Sequence, residues 1–119
     1  RGVALPHVIL DDRGEVAGRI TLNGIVRGPF LSCSVGYWVN EAHNGRGLAS
    51  AAVDAIKQLA FDQMGLHRIQ AETLAANAAS QRVLERNGFS RFGFAPQYLK
   101  IAGKWQDHVM YQTLKTEHR

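Results

Sequence analysis

A glycine-punctuated segment, residues 44–50, holds the residue types that could do chemistry. Gly45 and Gly47 carry no Cβ, so a ligand can lie directly against the backbone there. The first turn of a following helix offers unpaired N–H groups and the positive end of the helix dipole, which together favour an anion. Arg46 adds a cationic side chain. The segment therefore predicts a site for the pyrophosphate of a phosphate-bearing cofactor.

Two common phosphate motifs fit the segment poorly. A P-loop requires lysine and then serine or threonine after its second glycine, whereas Leu48 and Ala49 follow Gly47. The spacing Gly45-x-Gly47-x-x-Ser50 is close to a dinucleotide fingerprint, and Glu72 lies where a ribose-binding carboxylate would be sought. That fingerprint belongs to a parallel βαβαβ unit, however, whereas the upstream chain predicts antiparallel hairpins.

Residues 44–49 resemble the [Gln/Arg]-x-x-Gly-x-[Gly/Ala] pyrophosphate loop of the Gcn5-related N-acetyltransferase superfamily, with Asn44 at the first position. Residues 77–89, beginning at Asn77, resemble the Asn-x-x-Ser…Asn-Gly-Phe helix of that family. Residues 98–109 resemble the closing hairpin of its RimJ/RimL-type ribosomal-protein alanine N-acetyltransferases. The resemblance covers nearly the whole chain from about Val8 onward, and the three motifs occur in the family's order.

The resemblance implies an acetyl-coenzyme A site with pantetheine in a gap between two splayed strands. The backbone N–H of Val39 would meet the thioester or a pantetheine amide, and Asn77 would bind the pantetheine arm from the other side. Arg82 and Arg86 lie one turn apart. They are expected either to reach the 3′-phosphate of coenzyme A or to belong to a solvated face of their helix. The implied cofactor-binding residues are Tyr37, Trp38, Val39, Asn44, Gly45, Arg46, Gly47, Ala49, Ser50, Asn77 and Arg82.

The implied reaction moves an acetyl group from acetyl-CoA to a primary amine by direct attack in a ternary complex. The leaving thiolate benefits from a general acid. The tyrosine that many family members use is replaced by Leu84, and the resemblance implies Ser80 as the catalytic acid instead. The alternative is that Ser80 only caps or hydrogen-bonds within its helix. The proton acceptor is left open among Glu41, His43, Glu72, Asp107 and water.

The composition of the 119-residue chain, 45% hydrophobic, predicts a single domain over residues 1–119. No apolar run suffices to span a bilayer, and no signal-peptide pattern opens the chain. Cys33 is the only cysteine, which suits the cytoplasm and a role as a small buried apolar residue. The net charge is +4, but the basic residues are scattered, so neither nucleic acid nor a membrane is an expected partner. The five histidines have no ligand spacing, so no metal is expected.

Hydrophobic periodicity predicts strands over 7–10, 16–25, 32–39, 67–74, 90–94 and 108–113, with a break at Pro96. Helices are predicted over 48–63 and 77–87, ending at Gly65 and Gly88. The pair Asn23-Gly24 marks either a bulge or an early strand end. The expected fold class is α+β, a mixed and mainly antiparallel central sheet with packed helices, as in the acyl-CoA N-acyltransferase fold. The N-terminal strand and helices of the family are expected to be absent.

Three functional hypotheses follow. The first is acetylation of a protein or peptide N-terminal α-amine, which the branch resemblance implies. The second is acetylation of a small-molecule amine. The third is a non-catalytic acyl-CoA-binding module, which Leu84 and the unidentified base favour. The chain is expected to be a monomer or a homodimer.

Overall fold

The computed structural model describes residues 4–40 and 47–117. The elements follow the predicted order of strands and helices closely. The strands are β1 (Leu5–Leu10), β2 (Val16–Val26), β3 (Ser32–Val39), β4 (Arg68–Leu74), β5 (Ser90–Ile101) and β6 (Lys104–Leu114). The helices are α1 (Leu48–Gln58), which continues into a π-helical turn (Leu59–Gln63), and α2 (Ala78–Arg86). A short 3-10 turn, Lys115–Glu117, follows β6.

The strands form one six-stranded sheet in the order β1-β2-β3-β4-β6-β5. The β3–β4 pair is parallel, and every other neighbouring pair is antiparallel. This arrangement confirms the predicted mixed, mainly antiparallel sheet. Both helices lie on one face of the sheet and contact each other.

The core fills the space between the sheet and the two helices. In β4, Ile69 and Ala71 are buried, whereas Gln70 and Glu72 are half-buried on the other side, as the alternation of the strand predicts. Because α1 presents an apolar stripe at helical spacing, its side chains pack onto the strands. The largest fully buried apolar side chains are Tyr111, Phe61, Leu22, Leu66, Ile69, Leu84 and Val53.

A gap opens between β3 and β4 along their second halves. Their ladder consists of the pairs Ser32–Arg68, Cys33–Ile69 and Ser34–Gln70. Beyond these pairs, residues 35–39 stay paired with β2, and residues 71–74 stay paired with β6. Each strand therefore keeps its outer neighbour, and the separation between them is confined to the middle of the sheet.

The structure resolves one ambiguity and corrects one prediction. The register shift between Asn23 and Val26 identifies the Asn23-Gly24 pair as a bulge. The predicted break at Pro96 is wrong, because β5 continues through it as a bulge in which Gln97 adopts φ 48°. Since β5 is an edge strand, the missing N–H of proline costs no ladder bond inside the sheet. The backbone N–H of Gln97 donates instead to a carboxylate oxygen of Asp107, 2.9 Å away.

Within residues 4–40 and 47–117, no helix combines the length and the apolar character that crossing a membrane would require.

Candidate acetyl-CoA site

A cleft of about 620 Å³ lies on the helix-bearing face of the sheet, where the gap between β3 and β4 meets the N-terminal ends of α1 and α2. All of the predicted site residues that the structure describes line this cleft. They are Tyr37, Trp38 and Val39 from β3, Gly47, Ala49 and Ser50 at the start of α1, and Asn77, Ser80 and Arg82 at α2. Residues distant in sequence are thus brought together at one opening.

The start of α1 has the properties that an anion site needs. Gly47 precedes the first helical residue with φ 76°, and a Cβ there would face open space. Glycine adopts this left-handed conformation without steric cost, and it has no side chain to cap the helix. The N–H groups of the first turn and the positive end of the dipole therefore face the cleft. This geometry fits a pyrophosphate.

Five predicted residues lie outside the described part of the chain. Asn44, Gly45 and Arg46 belong to the predicted pyrophosphate loop, and Glu41 and His43 are two of the candidate bases.

The start of α2 is organised by Asn77 and Ser80. The side-chain oxygen of Asn77 accepts a hydrogen bond from the backbone N–H of Ser80 at 3.1 Å, so Asn77 is the N-cap of α2. The side-chain NH₂ of Asn77 remains a donor for a ligand in the cleft. The hydroxyl of Ser80 lies 2.7 Å from the hydroxyl of Tyr37, so its contact reaches β3 rather than its own helix.

Asn87 holds the two sides of the cleft together, a role that sequence reasoning missed. Its side-chain NH₂ donates to the carbonyl oxygen of Ser50 at 3.2 Å and to the hydroxyl oxygen of Ser50 at 3.1 Å. The Ser50 hydroxyl can still donate its own proton towards the cleft. The Asn-Gly-Phe pattern was the available signal, but it indicated only where the helix ends.

Two arginines border the cleft along α2. Arg82 and Arg86 are exposed and stand one turn apart. Like charges at this spacing repel each other by a few tenths of a kcal/mol, so an anion placed between them is favoured. A terminal phosphate is the group that this pair could hold.

Trp38 has a different orientation from its neighbours in β3. Tyr37 and Val39 pack against the core on the helix-bearing face, whereas Trp38 is 56% exposed and borders a groove on the opposite face. That groove has a volume of about 220 Å³ and includes Arg19, Thr21 and Asn23. Because side chains alternate along a strand, the Trp38 ring and the Tyr37 ring lie on opposite faces of the sheet.

The two described candidate bases have different surroundings. Glu72 projects from β4 beyond its last pair with β3, on the face away from the helices. One of its carboxylate oxygens accepts hydrogen bonds from Gln70 at 2.7 Å and from Ser34 at 3.3 Å. Asp107 instead accepts the bond from Gln97 at the β5 bulge, so its carboxylate supports the hairpin.

The remaining sequence-based interpretations concern buried residues. Leu84 is fully buried in the core. Cys33 is 3% exposed, and burial raises the pKa of its thiol to about 11 against the opposing charge of Arg68. The prediction that Cys33 is a small buried apolar residue is confirmed. Within the described ranges, no three of the His, Cys, Asp and Glu side chains are grouped to hold a metal ion.

Comparison with known proteins agrees with this geometry. A family model described as an acetyltransferase (GNAT) domain matches residues 2–90. The chain is 38% identical over 107 residues to the Probable N-acetyltransferase YjcK of Bacillus subtilis, covering 90% of this chain and 58% of that protein. It is 35% identical over 99 residues to the [Ribosomal protein uS5]-alanine N-acetyltransferase of Escherichia coli, covering 83% of this chain and 51% of that protein.

Solved structures show the same similarity. Mycobacterium smegmatis RimJ in complex with CoA-disulfide superposes with a TM-score of 0.92 at 34% identity, over 97% of this chain and 55% of that one. The ribosomal-protein-S5-alanine acetyltransferase of Vibrio fischeri gives a TM-score of 0.91 at 31% identity, over 98% of this chain and 64% of that one. The chain thus spans little more than half of the curated relatives' length. It belongs to the GNAT acetyltransferase family, to its RimJ/RimL type.

Proposed function

We propose that this chain binds acetyl-CoA in the cleft between β3, α1 and α2 and transfers the acetyl group to the α-amine of a protein N-terminus. The observation that carries the proposal is the gap between β3 and β4, which opens onto two helix N-termini. A pyrophosphate suits the start of α1, where no side chain of the N-cap residue occupies the N–H groups. The pantetheine arm suits the gap between β3 and β4, where the backbone N–H and C=O groups of the two strands are not paired with each other. Acetyl-CoA would supply the activated acyl group.

The residues around the gap support direct transfer between two substrates held together. Tyr37 and Ser80 present hydroxyl groups at the helix-bearing side, and Glu72 presents a carboxylate on the opposite face. An amine arriving from the Glu72 side would meet a thioester lying in the gap. Holding the two reactants in contact contributes much of the rate in such reactions. Glu72 is the described carboxylate best situated to take the proton from the amine.

Two observations favour an α-amine over a polycationic small molecule. The described residues that line the cleft and the groove include Arg19, Arg82 and Arg86 but no aspartate or glutamate. On the acceptor side a polyamine would meet the single carboxylate of Glu72, and no acidic cluster among the described residues of the groove would hold its other charges. An α-amino group also titrates near pH 8, about two units below a lysine side chain, so it loses its proton readily. The names of the Escherichia coli and Vibrio fischeri relatives point to the same acceptor.

The test is an acetylation assay with three acceptors: a peptide with a free N-terminal alanine, the same peptide with a blocked N-terminus and one internal lysine, and spermidine. Mass spectrometry locates the acetyl group. Acetylation of only the free α-amine supports the proposal. Preferential acetylation of spermidine would show a small-molecule acetyltransferase. Binding of acetyl-CoA without transfer to any of the three would favour the non-catalytic module.

A further inference from the structure

Tyr37 and Ser80 form a hydroxyl pair that bridges β3 and α2 at the cleft. Their oxygens are 2.7 Å apart, and the Tyr37 hydroxyl also lies 3.4 Å from the carbonyl oxygen of Ser80. Ser80 is held from its other side, because its backbone N–H donates to Asn77. Both hydroxyls border the same cleft. The Ser80 hydroxyl is therefore held by Tyr37 of β3, and the Ser80 backbone is held by the N-cap of its own helix.

A serine hydroxyl acting alone is poorly matched to the task of a general acid. Proton transfer is efficient when the donor and the acceptor have similar acidities, and an aliphatic hydroxyl is a far weaker acid than a thiol. A phenol titrates near 10 and a thiol near 8.5, so these two groups are much closer. Burial raises the pKa of Tyr37, against the opposing hydrogen bond from Ser80, so the phenol keeps its proton at neutral pH.

We propose that Tyr37 is a positioning residue that acts through Ser80 and supplies the proton that Ser80 passes to the leaving sulfur. This inference rests on the proposed function. As the C–S bond breaks, its electron pair goes to sulfur. Ser80 donates its hydroxyl proton to that sulfur, and Tyr37 donates its own proton to Ser80. The ammonium that forms when the amine attacks loses one proton to its proton acceptor and from there to solvent, and Tyr37 recovers a proton from solvent. Overall, one N–H proton ends on the thiol.

Tyr111 provides a matched control that tests whether the role of Tyr37 is purely structural. The hydroxyl of Tyr111, from β6, donates to a carboxylate oxygen of Glu85 on α2 at 2.9 Å. Both tyrosines thus tie α2 to the sheet through one hydroxyl, but only Tyr37 borders the cleft. Tyr111→Phe reports the loss of a tether, and Tyr37→Phe reports the loss of a tether together with any proton supply.

The first measurement compares the binding of CoA and acetyl-CoA between pH 7 and pH 10. Only CoA carries a thiol, so a hydroxyl pair that donates towards sulfur lowers the thiol pKa of bound CoA. In the wild-type protein we expect the affinity for CoA, relative to acetyl-CoA, to rise with pH. Tyr37→Phe and Ser80→Ala should reduce that rise by about threefold or more, since charge-assisted hydrogen bonds are lost. Tyr111→Phe should leave it unchanged.

The second measurement is turnover with the N-terminal alanine peptide. Tyr37→Phe and Ser80→Ala should each lower kcat by about 10- to 100-fold, with the KM for acetyl-CoA changed less than about twofold. The double variant should be no slower than the slower single variant, because the two hydroxyls act as one unit. A pH-dependent CoA affinity in Tyr37→Phe equal to that of the wild type, or reproduction of its effects by Tyr111→Phe, would overturn the inference. If the peptide is not acetylated while the CoA titration follows the expectation, the proposed transfer to an N-terminal α-amine fails, whereas the donation of the hydroxyl pair towards sulfur stands.

Discussion

The side-chain NH₂ of Asn87 donates hydrogen bonds to both the carbonyl and the hydroxyl oxygen of Ser50, at 3.2 and 3.1 Å. The carbonyl oxygen of Val83 lies 3.0 Å from the same nitrogen, so three acceptors share its two protons. Asn87 ends α2, and Ser50 stands in the first turn of α1. One amide therefore joins the far end of one helix to the proposed pyrophosphate-binding end of the other. The spacing between these helices sets the width of the cleft.

Replacing Asn87 should weaken both folding and binding. We expect Asn87→Ala to lower the free energy of unfolding by about 1–3 kcal/mol, because half-buried acceptors lose their donor. The isosteric Asn87→Asp should be at least as harmful, since a carboxylate then faces two carbonyl oxygens. Urea unfolding and calorimetric titration with CoA measure the two effects. The control is Gln58→Ala, which removes an exposed amide that donates to Asp54 on the same helix. Equal effects of Asn87→Ala and Gln58→Ala would contradict this role.

The arginine pair on α2 should recognise a terminal phosphate. We expect Arg82→Ala and Arg86→Ala each to weaken the binding of CoA by about 3- to 30-fold, in the range of a charge-assisted contact. The binding of 3′-dephospho-CoA, which lacks that phosphate, should change little. Arg13→Ala, in the exposed turn between β1 and β2, is the matched loss of a positive charge away from the cleft. If both ligands lose affinity equally in the Arg82 and Arg86 variants, this assignment is wrong.

Substitutions of Glu72 and Asp107 should have different effects on catalysis and so distinguish between these two candidate bases. We expect Glu72→Gln to lower kcat/KM for the peptide by about 10- to 100-fold at pH 7, with a smaller loss at pH 9, where more of the amine is already neutral. Asp107→Asn removes a carboxylate whose bond supports the β5 bulge, so it should reduce stability and leave the shape of the pH profile unchanged. A pH profile of Glu72→Gln that parallels the wild type would leave water as the proton acceptor.

Cys33 should be inert in the folded protein. With the pKa of its thiol at about 11, only about one molecule in a thousand carries a thiolate at pH 8, and the side chain is also buried. Alkylation by iodoacetamide at pH 8 should therefore be more than about 100-fold slower in the native protein than in urea. Because the folded pKa is raised, this thiol contributes its full stabilisation below about pH 8.5 and loses it as the pH rises towards 11. Similar native and unfolded alkylation rates would contradict the buried environment.

Local sequence patterns predicted the strands and helices. The features that these patterns missed depend on contacts between residues distant in sequence. Residues 32–39 were predicted as a strand with the bounds observed for β3, because this segment is rich in β-branched and aromatic residues. Asn77 and Gly88 marked the ends of α2 for equally local reasons. The continuation of β5 through Pro96 depends instead on Asp107, which lies on the neighbouring strand. No local pattern could anticipate that contact.

The same distinction holds for the candidate site. The glycine loop and the motif helix were visible in sequence, and they led to residues that line one cleft. The contacts of Tyr37 with Ser80 and of Asn87 with Ser50 each join residues about forty positions apart. Such pairs arise from how the helices pack on the sheet, so a single sequence does not specify them.

The most direct test of acetyl-CoA binding in this cleft is calorimetric titration into the wild-type protein, Gly47→Glu, Gly47→Ala and Gly28→Ala. Gly47 and Gly28 both have left-handed backbones, with φ of 76° and 81°, and at both a Cβ would meet no atom within 4 Å. The two alanine variants therefore share a backbone strain of about 1–2 kcal/mol, while only one of them alters the cleft. We expect wild-type affinity in Gly28→Ala, weaker binding in Gly47→Ala, and at least about 100-fold weaker binding in Gly47→Glu, whose charge opposes the pyrophosphate. Unchanged binding in Gly47→Glu, or no binding by the wild-type protein, would contradict the assignment of the cleft.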